Sequence, residues 1–253
     1  MLLCVDAGNS SIKLGLVEGS SVLATHRIAL AGSKPPSFRA LFPPRFLKVR
    51  EELTGVAVSS VVPPLNSRLN ANLRRLTGVQ PFFVSGRVTL PFKLDVTAPS
   101  RLGSDRIAAA AGAMPRVKRG AFIVDAGSAI TVDLLSRKKY RGGIIMAGPE
   151  LALAALSRRT ANLPAIDFGA RALPQPMRID DTRPALLLGA AVGAIGAITE
   201  ALNELTRIEG RRLPVYITGG ALSRLQDRIP QRWRRDPHLV LSGLALIWRL
   251  NHS

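Results

Sequence analysis

Short apolar runs, broken by glycine and small polar residues, set the rhythm of both halves of the chain. Residues 2–6, 12–18 and 22–29 read as three strands separated by the turns AGNSS and EGSS, which predicts an antiparallel start to a sheet. The proline-rich, basic stretch 32–50 reads as a connection with a short helix from Ser37 to Leu41. Residues 53–64 give a strand and a turn, and Leu65, Leu69, Leu73 and Leu76 then recur at helical spacing. QPFFVSG reads as a short buried strand. Residues 102–115 read as an alanine-rich helix, capped by Ser104 or Asp105 and ended by Pro115.

The pattern then restarts. Strands are expected at 121–125, 130–135 and about 140–146, followed by the amphipathic segment ELALAALSRRTANLP. A long apolar helix follows from Arg183, then a strand running into the TGGAL turn at 218–222, then a closing helix. Strand, hairpin strands, then strands alternating with helices: this order occurs twice. The chain is therefore expected to be α/β, with one unit over residues 1–117 and a second over 118–253, and a ligand site in a cleft between them.

Composition narrows this little. With 47% hydrophobic residues in 253, the chain is built to fold. The lone cysteine, Cys4, excludes a disulfide framework and a cysteine-rich zinc site, and reads as a buried small hydrophobe. No basic segment precedes the first strand, so no secretory signal is read, and a reducing, cytoplasmic setting is expected. The longest apolar stretch, residues 185–199, falls short of the roughly 20 residues of a membrane span. The net charge of +18 attracts polyanions without choosing among nucleic acid, anionic lipid and acidic small molecules.

Candidate chemistry lies in two matching turns, DAGNSSIK at residues 6–13 and DAGSAITVD at 125–133. Each places a carboxylate, Asp6 or Asp125, at the end of an apolar strand. Gly8 and Gly127 remove the side chain where something must approach the backbone. A tight turn of amides binds anions. A carboxylate beside it makes sense with a cation between the two, as Mg²⁺ provides for nucleotide phosphates. Asn9, Ser10 and Ser11 can donate to phosphate oxygens, and Lys13 adds a positive charge. GxxxxGK[ST] and a clean GxGxxG are both absent. Asp105, after Gly103, is either a helix cap or a group serving phosphoryl transfer. Helix-start amides favour its ionised form and make it a weak base. Arg106 can clamp a carboxylate or lie on the surface. Asp133 is a fourth acidic residue in these segments.

Taken together, these segments resemble the type III pantothenate kinases, also called the Bvg accessory factor family. DAGNSSIK is similar to the family's DxGNTxxK, GSDR at 103–106 to GxDR, and DAGSAITVD to DxGTAxTxD. YRGGIIMAGPELALAALSRRTANLP follows its GGxIxPG…LP segment, and DTRPALLLGAAVGAIG the segment that supplies Thr182. The resemblance spans nearly the whole chain.

It implies duplicated actin-like (ribonuclease H-like) ATPase domains around a nucleotide cleft, and transfer of phosphate from ATP to pantothenate. Asp6 would hold hydrated Mg²⁺, and Gly8, Asn9, Ser10, Ser11, Ile12 and Lys13 would line the phosphates with Gly127, Ser128 and Ala129. Asp105 would deprotonate the pantothenate hydroxyl, beside Gly103, Ser104 and Arg106, which would take the pantothenate carboxylate. Asp125 would help hold a monovalent cation, K⁺ or NH₄⁺. Thr182 of a second subunit would complete the pocket of a homodimer. No membrane partner is expected, and nucleic acid only if the basic charge serves the alternative reading, a non-catalytic regulatory protein. Serine replaces threonine at positions 10 and 128. Ala147-Gly148-Pro149 departs from the family's PG, which leaves the loop beside the substrate open to a shift.

Overall fold

The computed structural model describes residues 1–30, 42–169 and 179–252. The helix expected over Ser37–Leu41 lies outside them. Along the chain come β1 (Leu2–Ala7), β2 (Ser11–Glu18), β3 (Ser21–Ala29), α1 (Pro44–Lys48), β4 (Gly55–Ser60), α2 (Pro63–Thr77), β5 (Phe82–Phe83), β6 (Lys93–Leu94) and α3 (Ser104–Ala113). After them come β7 (Gly120–Ala126), β8 (Ala129–Ser136), β9 (Lys139–Ala147), α4 (Pro149–Arg159), α5 (Thr182–Glu209), β10 (Val215–Thr218), α6 (Leu222–Leu225), β11 (Arg234–Arg235) and α7 (Leu239–His252).

The residues gather into two compact units. One holds Met1–Lys118, Lys138–Tyr140 and His238–Ser253, and the other Arg119–Arg137 and Arg141–Pro237. The change of unit after residue 118 sits beside the expected boundary. The closing helix, however, groups with the first unit.

The first unit's sheet runs β3-β2-β1-β4-β5. β1 pairs antiparallel with β2 and parallel with β4, which sets Asp6 opposite Lys13 on one side and Ser59 on the other. Leu3, Val5, Ile12, Leu14, Val56 and Val58 form its core with Leu69 and Leu73 of α2. Cys4 is buried, as read. α3 and α7 meet backbone to backbone. A methyl on Gly112 would run into the Leu239 carbonyl, and one on Gly243 into the Ala108 carbonyl. Alanines at 108–111 and 113, all buried, let the helices approach this closely.

The second unit's sheet runs β11-β10-β7-β8-β9, while β6 pairs parallel with Lys139–Tyr140 inside the first unit. β7 pairs antiparallel with β8 and parallel with β10. Phe122, Val124, Ile130, Val132, Leu134, Val215 and Ile217 turn one face of this sheet into a core with Ala191, Ala194, Ile198 and Leu205 of α5. The 28-residue α5 outruns the apolar stretch read at 185–199. By length and composition it is long and apolar enough to cross a membrane, a test that core helices also pass. At its end, the nearly buried Glu209 carboxylate accepts from Ser136 Oγ (2.6 Å) and Arg211 Nε (3.1 Å).

Candidate functional site

The first unit brings Asp6, Lys13, Asp105 and Arg106 into one neighbourhood. Asp6 ends β1, where the sheet register alone places Lys13 and Ser59 beside it. Although Asp6 keeps some accessible surface, its carboxyl is pushed up to about 7. Burial is the main cause and repulsion from Asp105 the second, opposed by Lys13, a hydrogen bond from Ser59, and Arg27. The two carboxylates repel each other while losing water, with Lys13, Arg27 and Arg106 as the positive charges around them. A hard divalent cation fits that donor set.

Asp105 does not cap α3 in the expected way. The N-cap residue is Gly103, with no side-chain cap bond, and the Arg106 N–H donates to Asp105 Oδ1 at 2.8 Å. The carboxylate folds back over Gly103, and a side chain there would strike Asp105 Oδ1. Glycine in GSDR lets the carboxylate keep that position. The expectation of a weak base is also corrected. Burial raises the Asp105 pKa, outweighing its hydrogen bond and charge pairing with Arg106. The Arg106 guanidinium lies over the Tyr140 ring, 5.9 Å from its centroid, and Phe92 stacks on that ring.

Ser104, expected to cap the helix or touch substrate, turns its hydroxyl inward. Its Oγ accepts from the Ser60 N–H at 2.9 Å and lies 3.0 Å from the buried Ser59 Oγ. Ile12 puts its side chain into the core, leaving only its backbone for a phosphate. The 8–11 turn is closed by Gly8 N–H donating to the Ser11 carbonyl (3.0 Å), and Arg27 Nε donates to Ser11 Oγ (3.1 Å). A methyl on Gly8 would meet only the Ser11 carbonyl, at an ordinary 3.5 Å. The chain's own packing does not demand glycine there, and the space suits an approaching ligand.

In the second unit, register sets Asp125 between Thr131 and Thr218. The following turn is wedged between two glycines. Gly148 N–H donates to the Ser128 carbonyl at 2.9 Å, and side chains on Gly148 or Gly219 would strike the backbone at 127–128 or at Ala126. Gly148 of Ala147-Gly148-Pro149 thus supports the turn, and Pro149 opens α4. Asp133 is buried on β8. Thr182 is the exposed first residue of α5.

Ser59, Arg27 and Tyr140 were not singled out from sequence. The available signal for Ser59 was a hydroxyl ending the apolar run GVAVSS, at the position that pairs with a strand-end aspartate.

The comparisons with known proteins agree with one another. The family model for type III pantothenate kinase matches residues 2–204. Type III pantothenate kinases from Myxococcus xanthus (31% identical, covering all of both chains) and Solibacter usitatus (30% identical, all of this chain and 97% of that one) align throughout. Among solved structures, a Baf family transcriptional activator from Campylobacter jejuni superposes with a TM-score of 0.58 at 22% identity, covering 99% of this chain and 98% of that one. The ROK hexokinase of Thermus thermophilus does so with a TM-score of 0.51 at 15% identity, covering all of this chain and 99% of that one. These two bear on the fold alone, an α/β fold shared with both. Matched over most of its length by the family model and end to end by its relatives, the chain belongs to the type III pantothenate kinase family and phosphorylates pantothenate with ATP.

Proposed function

We propose that the two strand-end turns are the two walls of one nucleotide cleft between duplicated actin-like units, and that Asp105 is the base of the reaction. The neighbouring, water-poor carboxylates of Asp6 and Asp105, with Lys13 beside Asp6 at the strand end, carry this reading. The matching strand orders around β1 and β7 support the duplication.

In this reading Asp6 holds hydrated Mg²⁺, which neutralises charge on the phosphates when bound. Among the described residues no three acidic, histidine or cysteine side chains gather as a metal cage. That suits an ion held by one carboxylate, water and phosphate. Gly8, Asn9, Ser10, Ser11, the Ile12 backbone and Lys13 bind the phosphates, with Gly127 and Ser128 opposite. Asp105 takes the proton of the primary hydroxyl. That oxygen bonds to the γ-phosphorus as the bond to the β–γ bridging oxygen breaks, and ADP leaves. Burial of Asp105 makes it the better base near neutral pH. Arg106, held over Tyr140, pairs with the pantothenate carboxylate. Gly103 and Ser104 contribute backbone contacts to the same pocket.

Asp125, with Thr131 and Thr218 beside it, holds K⁺ or NH₄⁺. The outer stripe of α5, with Ala185, Gly189, Val192, Gly193 and Gly196 exposed, seats a second copy of the chain in the cytoplasm. That copy supplies Thr182.

The test is pantothenate-dependent ADP release with K⁺, NH₄⁺ or Na⁺, run on wild type and Asp105→Asn. Turnover is expected with K⁺ or NH₄⁺ and should fall at least ~100-fold in the variant while ATP still binds. Undiminished turnover by Asp105→Asn would remove Asp105 from its role.

A further inference from the structure

We infer that Ser59, through its hydroxyl bridge to Ser104, is a positioning residue for phosphoryl transfer, locking the Asp6 carboxylate to the start of the helix that carries Asp105. The inference rests on the assignment of Asp6 and Asp105 above.

Ser59 is fully buried, next to the apolar Val56, Ala57 and Val58 of β4. A hydroxyl taken out of water there is costly unless bonded, and an apolar residue of similar size would fill the strand as well. Its bonds therefore explain its presence. They form a chain. The Ser60 N–H can only donate, and it donates to Ser104 Oγ at 2.9 Å. The Ser104 proton can go to Ser59 Oγ at 3.0 Å or to the Ser60 carbonyl at 3.2 Å, and when Ser59 donates to Asp6 its Oγ accepts from Ser104. The Ser59 proton is left for Asp6, to which its side chain is bonded.

Sheet register puts Ser59 directly beside Asp6, and the next residue after Ser104 is Asp105. Two hydroxyls thus span from the nucleotide-side carboxylate to the base. Chemistry of this kind tolerates misplacement poorly, and a shift of about 1 Å costs on the order of 100-fold. Removing a hydrogen bond to a charged group without moving the fold should cost about tenfold in rate.

The experiment compares Ser59→Ala, Ser59→Thr, Ser104→Ala and the double alanine variant by steady-state kinetics and melting temperature. Ser59→Ala should lower kcat about tenfold, with KM for ATP and for pantothenate within about twofold of wild type. Ser59→Thr, which keeps the hydroxyl, should recover most of the loss. Ser104→Ala should lower kcat similarly, and the double variant should be no worse than the single ones, because the hydroxyls act as one chain. Wild-type kcat in Ser59→Ala overturns the inference. So do losses that multiply in the double variant, or a Ser104→Ala effect confined to the KM for pantothenate. Should Ser59→Ala fail to fold, the kcat of Ser104→Ala against Ser59→Thr decides it by the same criteria. Asp105→Asn, assayed alongside, separates the two levels. If it is inactive while Ser59→Ala is normal, only the bridge falls; if it is active, the site assignment falls first.

Discussion

Asp6 in the first unit and Glu209 in the second are both carboxylates drawn out of water, and they respond in opposite directions. Burial and the neighbouring Asp105 push Asp6 up to about 7, against the pull of Lys13, Ser59 and Arg27. Burial pushes Glu209 up as well, but hydrogen bonds from Ser136 and Arg211 more than offset it and hold the group below the usual glutamate range. Glu209 is fully served by its own chain and fastens the end of α5 to β8. Asp6 is served in part and repelled in part. A carboxylate satisfied internally supports the fold, whereas one kept above its ordinary range by burial and a like charge is the one to test for a ligand role.

The largest effect that could break this contrast is on catalysis. Asp6→Asn should lower turnover by ~100-fold or more, since in the proposed mechanism it removes the charge that meets the metal–nucleotide complex, whereas Glu209→Gln should leave turnover per folded molecule within about twofold. Active-site-normalised ADP release measures both.

Stability should move the other way. The raised Asp6 pKa favours the folded state below the ordinary aspartate range, and that advantage is lost as pH rises through about 7. In the ligand-free protein, Asp6→Asn should therefore be the more stable form at pH 8, by on the order of 1 kcal/mol. The depressed Glu209 pKa gives stability present above the ordinary glutamate range and lost as pH falls through its folded value. Glu209→Gln should cost about 1–3 kcal/mol at pH 8 and less at pH 4. Melting curves of the three proteins from pH 4 to 8 would show the two slopes.

The smallest effect concerns Arg207, which pairs with Glu200 and Glu204 on the open face of α5. With all three side chains largely in water, Arg207→Ala should change stability by less than about 0.5 kcal/mol, as chemical denaturation would report.

Much of this was legible in the sequence, for local reasons. The strands at 2–7, 11–18, 120–126 and 129–136 announce themselves because apolar runs end at turns that little else can form. Asp6 and Asp105 stood out because a glycine lies two residues from each. Contacts between distant residues were hidden. Nothing near Ser104 says that its hydroxyl prefers Ser59 and Ser60 to its own helix. Glu209 looks like any acidic residue at a helix end until Ser136 is brought beside it. The grouping of α7 with the first unit was equally silent, since the glycines that seat it, Gly112 and Gly243, read as mere weak spots in two helices.

That seating has a consequence for how the enzyme is made. α7 emerges from the ribosome long after α3, yet it covers the inner face of the helix that presents Asp105. Until residues 239–252 arrive, the first unit exposes a strip of alanine and glycine backbone and lacks the partner that holds α3 in place. Synthesis thus leaves the packing of α3 incomplete until after the second unit has emerged, although the first unit's sheet core, residues 3–73, is made first.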